Sequence, residues 1–141
     1  MELTRVYPFS ASHRLQVDAL SEEENRRLFG KCNNPYGHGH NYVLHVTVAG
    51  EPAAETGMVV EREAVDRLVN EAVLPKIDRK DMNAAVQEFA DLTPTTENLA
   101  RVIGGWLGAA WPRHFVAGEP CLRKIRLQET GRNTFELRMG L

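Results

Sequence analysis

"HNYVLHVTVAG", residues 40–50, is the clearest strand in the chain. Val43, Leu44, Val46 and Val48 crowd it with residues that suit a pleated surface, and Gly50 ends it. Side chains two apart share a face of a strand. His40 therefore points the same way as His38 just before it, and His45 points the other way. Working outward, "LTRVYPFSASHRL" near the start places Phe9, Ala11 and His13 on one parity, a first strand that can lie beside this one. On the other side, "TGMVVE" reads as a further strand pairing through the Glu51–Thr56 loop.

The remaining segments fill in helices and a hairpin. Ser21 with Glu24 forms a capping box for a short helix that stops near Gly30. "REAVDRLVNEAVLPK" spaces Ala64, Val65, Leu68, Val69 and Ala72 for one face of a helix, with Pro75 at its end. "TTENLARVIGGWLGAAW" repeats the pattern, capped by Thr95 or Thr96. Gly104 and Gly105 cost that helix about 1 kcal/mol each relative to alanine, so it leans on packing. "LRKIRLQETGRNTFELRM" alternates on both sides of Thr130-Gly131-Arg132-Asn133 and predicts two strands around a turn. This order implies one α+β domain over residues 1–141, two long helices packed on one face of a mainly antiparallel sheet.

Composition narrows the partners. A net charge of -2 provides no field for nucleic acid or an anionic membrane, and no apolar run is long enough to span a bilayer. The opening residues lack the features of a secretory signal. A cytoplasmic, reducing setting is the expectation, with Cys32 and Cys121 as free thiols.

"KCNNPYGHGHNY", residues 31–42, carries the chemistry. His38 and His40 on one strand face can share a cation, and His13 on a neighbouring strand is the candidate third imidazole. Three imidazoles leave one position of a tetrahedral zinc ion open, as a catalytic site requires, and imidazole suits zinc better than calcium or magnesium. Cys32 has three readings from its residues alone: a fourth zinc ligand, a reactive thiolate, or a small buried hydrophobe. His45, of opposite parity, reads as structural. His114 in "WPRHF" falls in an expected loop with no evident partner, and Cys121 reads as packing.

Five ordered segments resemble the 6-pyruvoyl-tetrahydropterin synthase and 6-carboxytetrahydropterin synthase family. They are "FSASHRL", "LFGKCNNPYGHGHNY", "TGMVVE", "FADLTPTTENLARVI" and "LQETGRN", and the likeness runs over nearly the whole chain. The resemblance implies a four-stranded antiparallel sheet under two long helices, assembling into a barrel and commonly a hexamer with sites between subunits. It implies zinc on His13, His38 and His40, and a substrate, 7,8-dihydroneopterin triphosphate, that loses triphosphate. Cys32 would be the general base and Glu129 the pterin anchor, its two oxygens matching the two-donor edge of the pterin ring. Thr95 and Thr96 correspond to residues near the pterin. The five-residue gap from Cys32 to His38 and the "TTEN" run resemble the pyruvoyl branch more than the carboxy branch. Arg14 and Lys31 flank motif residues and are candidates to meet the triphosphate, or to serve as solvated surface charge.

One stretch departs from the pattern. The family's Leu-Asp-His-Lys, whose histidine relays protons with the cysteine, reads Ile77-Asp78-Arg79-Lys80 here. Asp78 is kept as a catalytic candidate. Arg79 holds its proton at any working pH and cannot shuttle one. The resemblance then leaves room for a different pterin side-chain cut, or for a pterin-binding paralogue without turnover.

Overall fold

The computed structural model describes residues 1–118 and 120–140. Two twelve-residue strands, β1 (Glu2–His13) and β2 (His38–Ala49), pair antiparallel along their full length. The ladder sets Ala11 opposite His40 and His13 opposite His38. Between them lies α1 (Glu22–Phe29), where Ser21 Oγ accepts from the Glu24 amide at 3.1 Å and donates to the Glu24 carboxylate at 3.1 Å. Gly30, at φ 53°, ends that helix, and a 3-10 turn at Gly30–Asn33 carries Cys32.

The second half supplies the covering layer. After α2 (Arg62–Ala72) come the short α3 (Leu74–Ile77), β3 (Lys80–Asp81) and α4 (Met82–Ala85), and then α5 (Thr96–His114). The chain closes with β4 (Cys121–Gln128) and β5 (Thr134–Arg138), the two strands expected around the Thr130–Asn133 turn. Thr95 is the cap of α5, accepting from the Asn98 amide at 3.2 Å. The helices cover one face of the sheet, over which Tyr42, Leu44, Val46 and Val48 of β2 are fully buried. Gly104 has a use there. A Cβ on it would lie 3.0 Å from Leu137 Cδ2 and 3.3 Å from Met139 Sδ, so its lack of a side chain seats the end of β5 against α5.

Three expectations are corrected. The sheet is five-stranded and mixed, in the order β3-β1-β2-β4-β5, where four antiparallel strands were expected. The extra strand is only two residues long, and it runs parallel to β1 because the chain is tied there. The Arg79 amide donates to the Ser10 carbonyl at 2.6 Å, and Asp78 Oδ1 accepts from the Ser10 amide at 3.1 Å. "TGMVVE" forms no strand. The free edge of β2 is taken by β4, from Val43 opposite Gln128 to Ala49 opposite Cys121, and residues 53–58 turn on themselves. Finally, α5 continues past Pro112 to His114, whose Nε2 lies 3.1 Å from Glu71 Oε2.

β1 and α2 are joined by a polar clasp. Asp66 receives Arg5 Nε at 3.1 Å and Arg5 Nη2 at 2.8 Å, with the Tyr7 hydroxyl at 2.6 Å. The Arg5 hydrogen bond, with help from Tyr7 and against burial, holds the Asp66 carboxyl below its ordinary range. A depressed folded-state value means stability that is present above the ordinary carboxylate pKa and is lost as pH falls through the lowered one. Asp66→Asn therefore flattens the acid limb of a stability–pH profile measured by urea unfolding; an unchanged limb would show that the clasp is not linked to folding.

Candidate metal centre

Strand parity delivers the imidazoles to one place. His13 ends β1 and is 1% exposed; His40 sits two register positions in, on the same helix-covered face. His13 Nδ1 lies 2.8 Å from the Pro94 carbonyl oxygen, an acceptor only, so Nδ1 carries the proton and Nε2 keeps a free lone pair. That Nε2 lies 3.2 Å from His40 Nε2. Two neutral ring nitrogens so placed need a proton or a cation between them.

Cys32 and Glu129 close on the same point. Cys32 Sγ lies 3.6 Å from His40 Nε2, and Glu129 Oε1 lies 3.2 Å from it. Among the described residues, the donor atoms of His13, Cys32, His40 and Glu129 all fall within 4.8 Å of one another. His38 stands at the edge of the group, its ring edge-on to His40 with centroids 4.8 Å apart. Burial lowers the pKa values of His13 and His40, opposed by the Pro94 bond and Glu129 at His13 and by Glu129 at His40. Both imidazoles are thus neutral near pH 7, the form able to ligate a metal. Burial, followed by the Glu129 charge, pushes the Cys32 thiol up. Two imidazoles, a thiol and a carboxylate form a donor set that suits a borderline-soft divalent cation better than one that prefers oxygen alone.

The other candidates are placed as follows. Thr96 Oγ1 donates to Glu129 Oε2 at 2.8 Å, which fixes the carboxylate from behind. Thr95 faces the helix start as its cap. Asp78 lies outside the donor set, bound to the Ser10 amide. Arg79 is exposed and adopts a left-handed φ of 61°. Lys31 is exposed as well, whereas Arg14 Nε lies 3.4 Å from the Asn33 carbonyl oxygen. Sequence reasoning missed Tyr42, although it shares the two-residue period of His38 and His40. Fully buried in this site, its hydroxyl has Thr96 as a polar neighbour but makes no well-formed hydrogen bond.

Residues 2–139 match the family model described as 6-pyruvoyl tetrahydropterin synthase. The chain belongs to that family. It is 44% identical over 131 residues to 6-pyruvoyl tetrahydrobiopterin synthase of Poecilia reticulata, covering 93% of this chain and 85% of that one. With the human protein of the same name it shares 43% over 132 residues, 94% of this chain and 87% of the other. The solved 6-pyruvoyl tetrahydropterin synthase of Caenorhabditis elegans superposes with a TM-score of 0.85 at 33% identity, covering 99% and 96%. As a member of the 6-pyruvoyl tetrahydropterin synthase family, the chain carries its donor cluster on the segments that the resemblance singled out. Among the described residues, no helix is long and apolar enough to cross a membrane.

Proposed function

We propose that the chain is a cytoplasmic zinc-dependent lyase that converts 7,8-dihydroneopterin triphosphate to 6-pyruvoyl-tetrahydropterin, with loss of triphosphate. The observation that carries this reading is the convergence of His13, His40, Cys32 and Glu129 on one point in a chain of this family. Zinc is the metal, held by His13 and His40 with His38 as the third imidazole; when bound, it supplies a Lewis acid that polarises the substrate's side-chain oxygens. Cys32 Sγ takes a proton from the substrate side chain. Glu129 accepts from the 2-amino group and ring N–H of the pterin through its two oxygens, oriented by the Thr96 hydroxyl. Thr95 keeps the start of α5 in register with that anchor. Hydrogens move within the substrate, so no external reductant enters.

The working unit is a homo-oligomer, a hexamer built through its sheets into a barrel. The sheet face away from the helices supports this: it leaves Val6 54% exposed. Asp78, bound away from the thiol in its own chain, serves a site shared between subunits. Arg79 favours a second reading, a paralogue that binds the pterin without turning it over, since the relay imidazole is gone. Chelation separates the lyase reading from a metal-free mechanism. Removing the metal stops release of triphosphate and zinc restores it; release that survives full chelation contradicts the proposal.

A further inference from the structure

A second cleft, of about 340 Å³, opens between α3, β3, the 3-10 turn at Gln87–Ala90 and α5. It shares no residue with the donor cluster of the metal centre. Its volume lies within the roughly 300–1,000 Å³ of small-molecule sites. Trp106 forms one wall, half-buried on a helix whose Ile103 and Leu107 are core. The indole is held at its edge and on its face. Nε1 donates to Glu88 Oε1 at 2.8 Å, and Lys76 Nζ stands 4.8 Å from the ring centroid, a cation–π contact. Lys80 lines the same cleft, and Pro75 and Val86 are its apolar sides.

The charges in this cleft do not balance. Lys76 and Lys80 stand against the single carboxylate of Glu88, which the indole N–H already engages. Among the described residues, neither lysine is paired with a carboxylate. A π-face replaces part of the hydration of an ammonium group but supplies no counter-charge. We infer that the cleft binds a planar aromatic monocarboxylate. Its carboxylate lies between Lys76 and Lys80, and its ring lies on Trp106. Lys76 swings off the indole to meet the carboxylate, and the ligand's ring takes the face that it leaves. An aromatic pair of this kind prefers an offset stack, which Pro75 and Val86 border. Glu88 has two effects. Its hydrogen bond fixes the plane of the indole before the ligand arrives, so little freedom is lost on binding. Its charge also sets the ligand's: one negative charge brings the cleft to neutrality, and a second meets repulsion. Neither metal nor pterin takes part.

Calorimetric titration of the intact protein with 2-naphthoate tests the site. The wild type should bind one 2-naphthoate per chain. Lys76→Gln and Lys80→Gln, both at exposed positions, should each weaken binding about tenfold or more, because each loses a charge-assisted contact. Trp106→Leu should weaken it several-fold by removing the stacking face. Glu88→Gln keeps an acceptor for the indole N–H and should tighten binding. 2-Naphthamide, with the same ring and no charge, should bind about tenfold or more weakly than the acid. Glu129→Gln, altered at the proposed pterin anchor, should bind 2-naphthoate as the wild type does. No saturable binding up to millimolar concentration overturns the inference. So does equal affinity for the amide, or an affinity that Lys76→Gln leaves unchanged. An affinity that falls in Glu129→Gln instead places the probe in the pterin site and overturns it as well.

Discussion

His40→Ala lowers metal affinity by more than about 100-fold and takes the release of triphosphate down with it. Even the loss of a group that only supports a ligand costs about 10–100-fold in affinity or activity, and His40 is the hub of the donor set. Its Nε2 alone has His13, Cys32 and Glu129 within 3.6 Å. Removing it leaves the other three donors without a common centre. Competition against a chromogenic chelator measures the affinity. His45→Ala, on the same strand at the opposite parity, is the control and leaves metal binding unchanged. Stoichiometric, tight metal in His40→Ala would show that the donor cluster is not the site.

Gly37→Ala is the second large effect, and it acts through the backbone. Gly37 has φ 75°, a conformation that alanine enters only with strain. A Cβ there would run into the His13 carbonyl, lying 2.9 Å from its carbon and 3.2 Å from the Arg14 nitrogen. Those are main-chain atoms at the end of β1, at the rung where His13 faces His38, so the clash forces the two histidine-bearing strands apart at the site. The expected cost is about 1–3 kcal/mol of stability, read from urea unfolding, together with at least a tenfold loss of metal affinity. Gly30→Ala separates strain from clash. Gly30 also has positive φ, 53°, but a Cβ on it meets nothing within 4 Å, so alanine there costs about 1–3 kcal/mol through backbone strain alone and keeps the metal. Equal effects at the two glycines would contradict the close-approach argument.

Much of this site was legible because strands have a period of two. The spacing of His38 and His40 set them on one face, and His13 joined them once β1 paired with β2. The motif segments added Cys32 and Glu129, which spacing alone does not relate, since 96 residues of chain lie between them. What the sequence hid is what depends on the fold's long-range contacts. The Pro94 carbonyl that sets the tautomer of His13 sits in a loop 81 residues away, and Thr96 meets Glu129 across the helix–sheet boundary. β3 is too short for any periodicity, and only the ties of Asp78 and Arg79 to Ser10 reveal it. "TGMVVE" misled because Val59 and Val60 have strand-like residue types, yet the β2 edge they would need is filled by β4. His114 misled because Pro112 marks a helix end by propensity, while the packing of Trp111 on the core carries α5 onward.

The most direct test of the whole account is to incubate the zinc-loaded protein, beside Cys32→Ala, with 7,8-dihydroneopterin triphosphate and to identify the pterins by mass spectrometry. The account predicts a new pterin whose mass is that of the substrate less triphosphoric acid, formed about 10²–10⁴-fold more slowly by Cys32→Ala. No new pterin from the wild type, with zinc bound and substrate retained, would contradict the lyase and leave Arg79 as the mark of a binding paralogue.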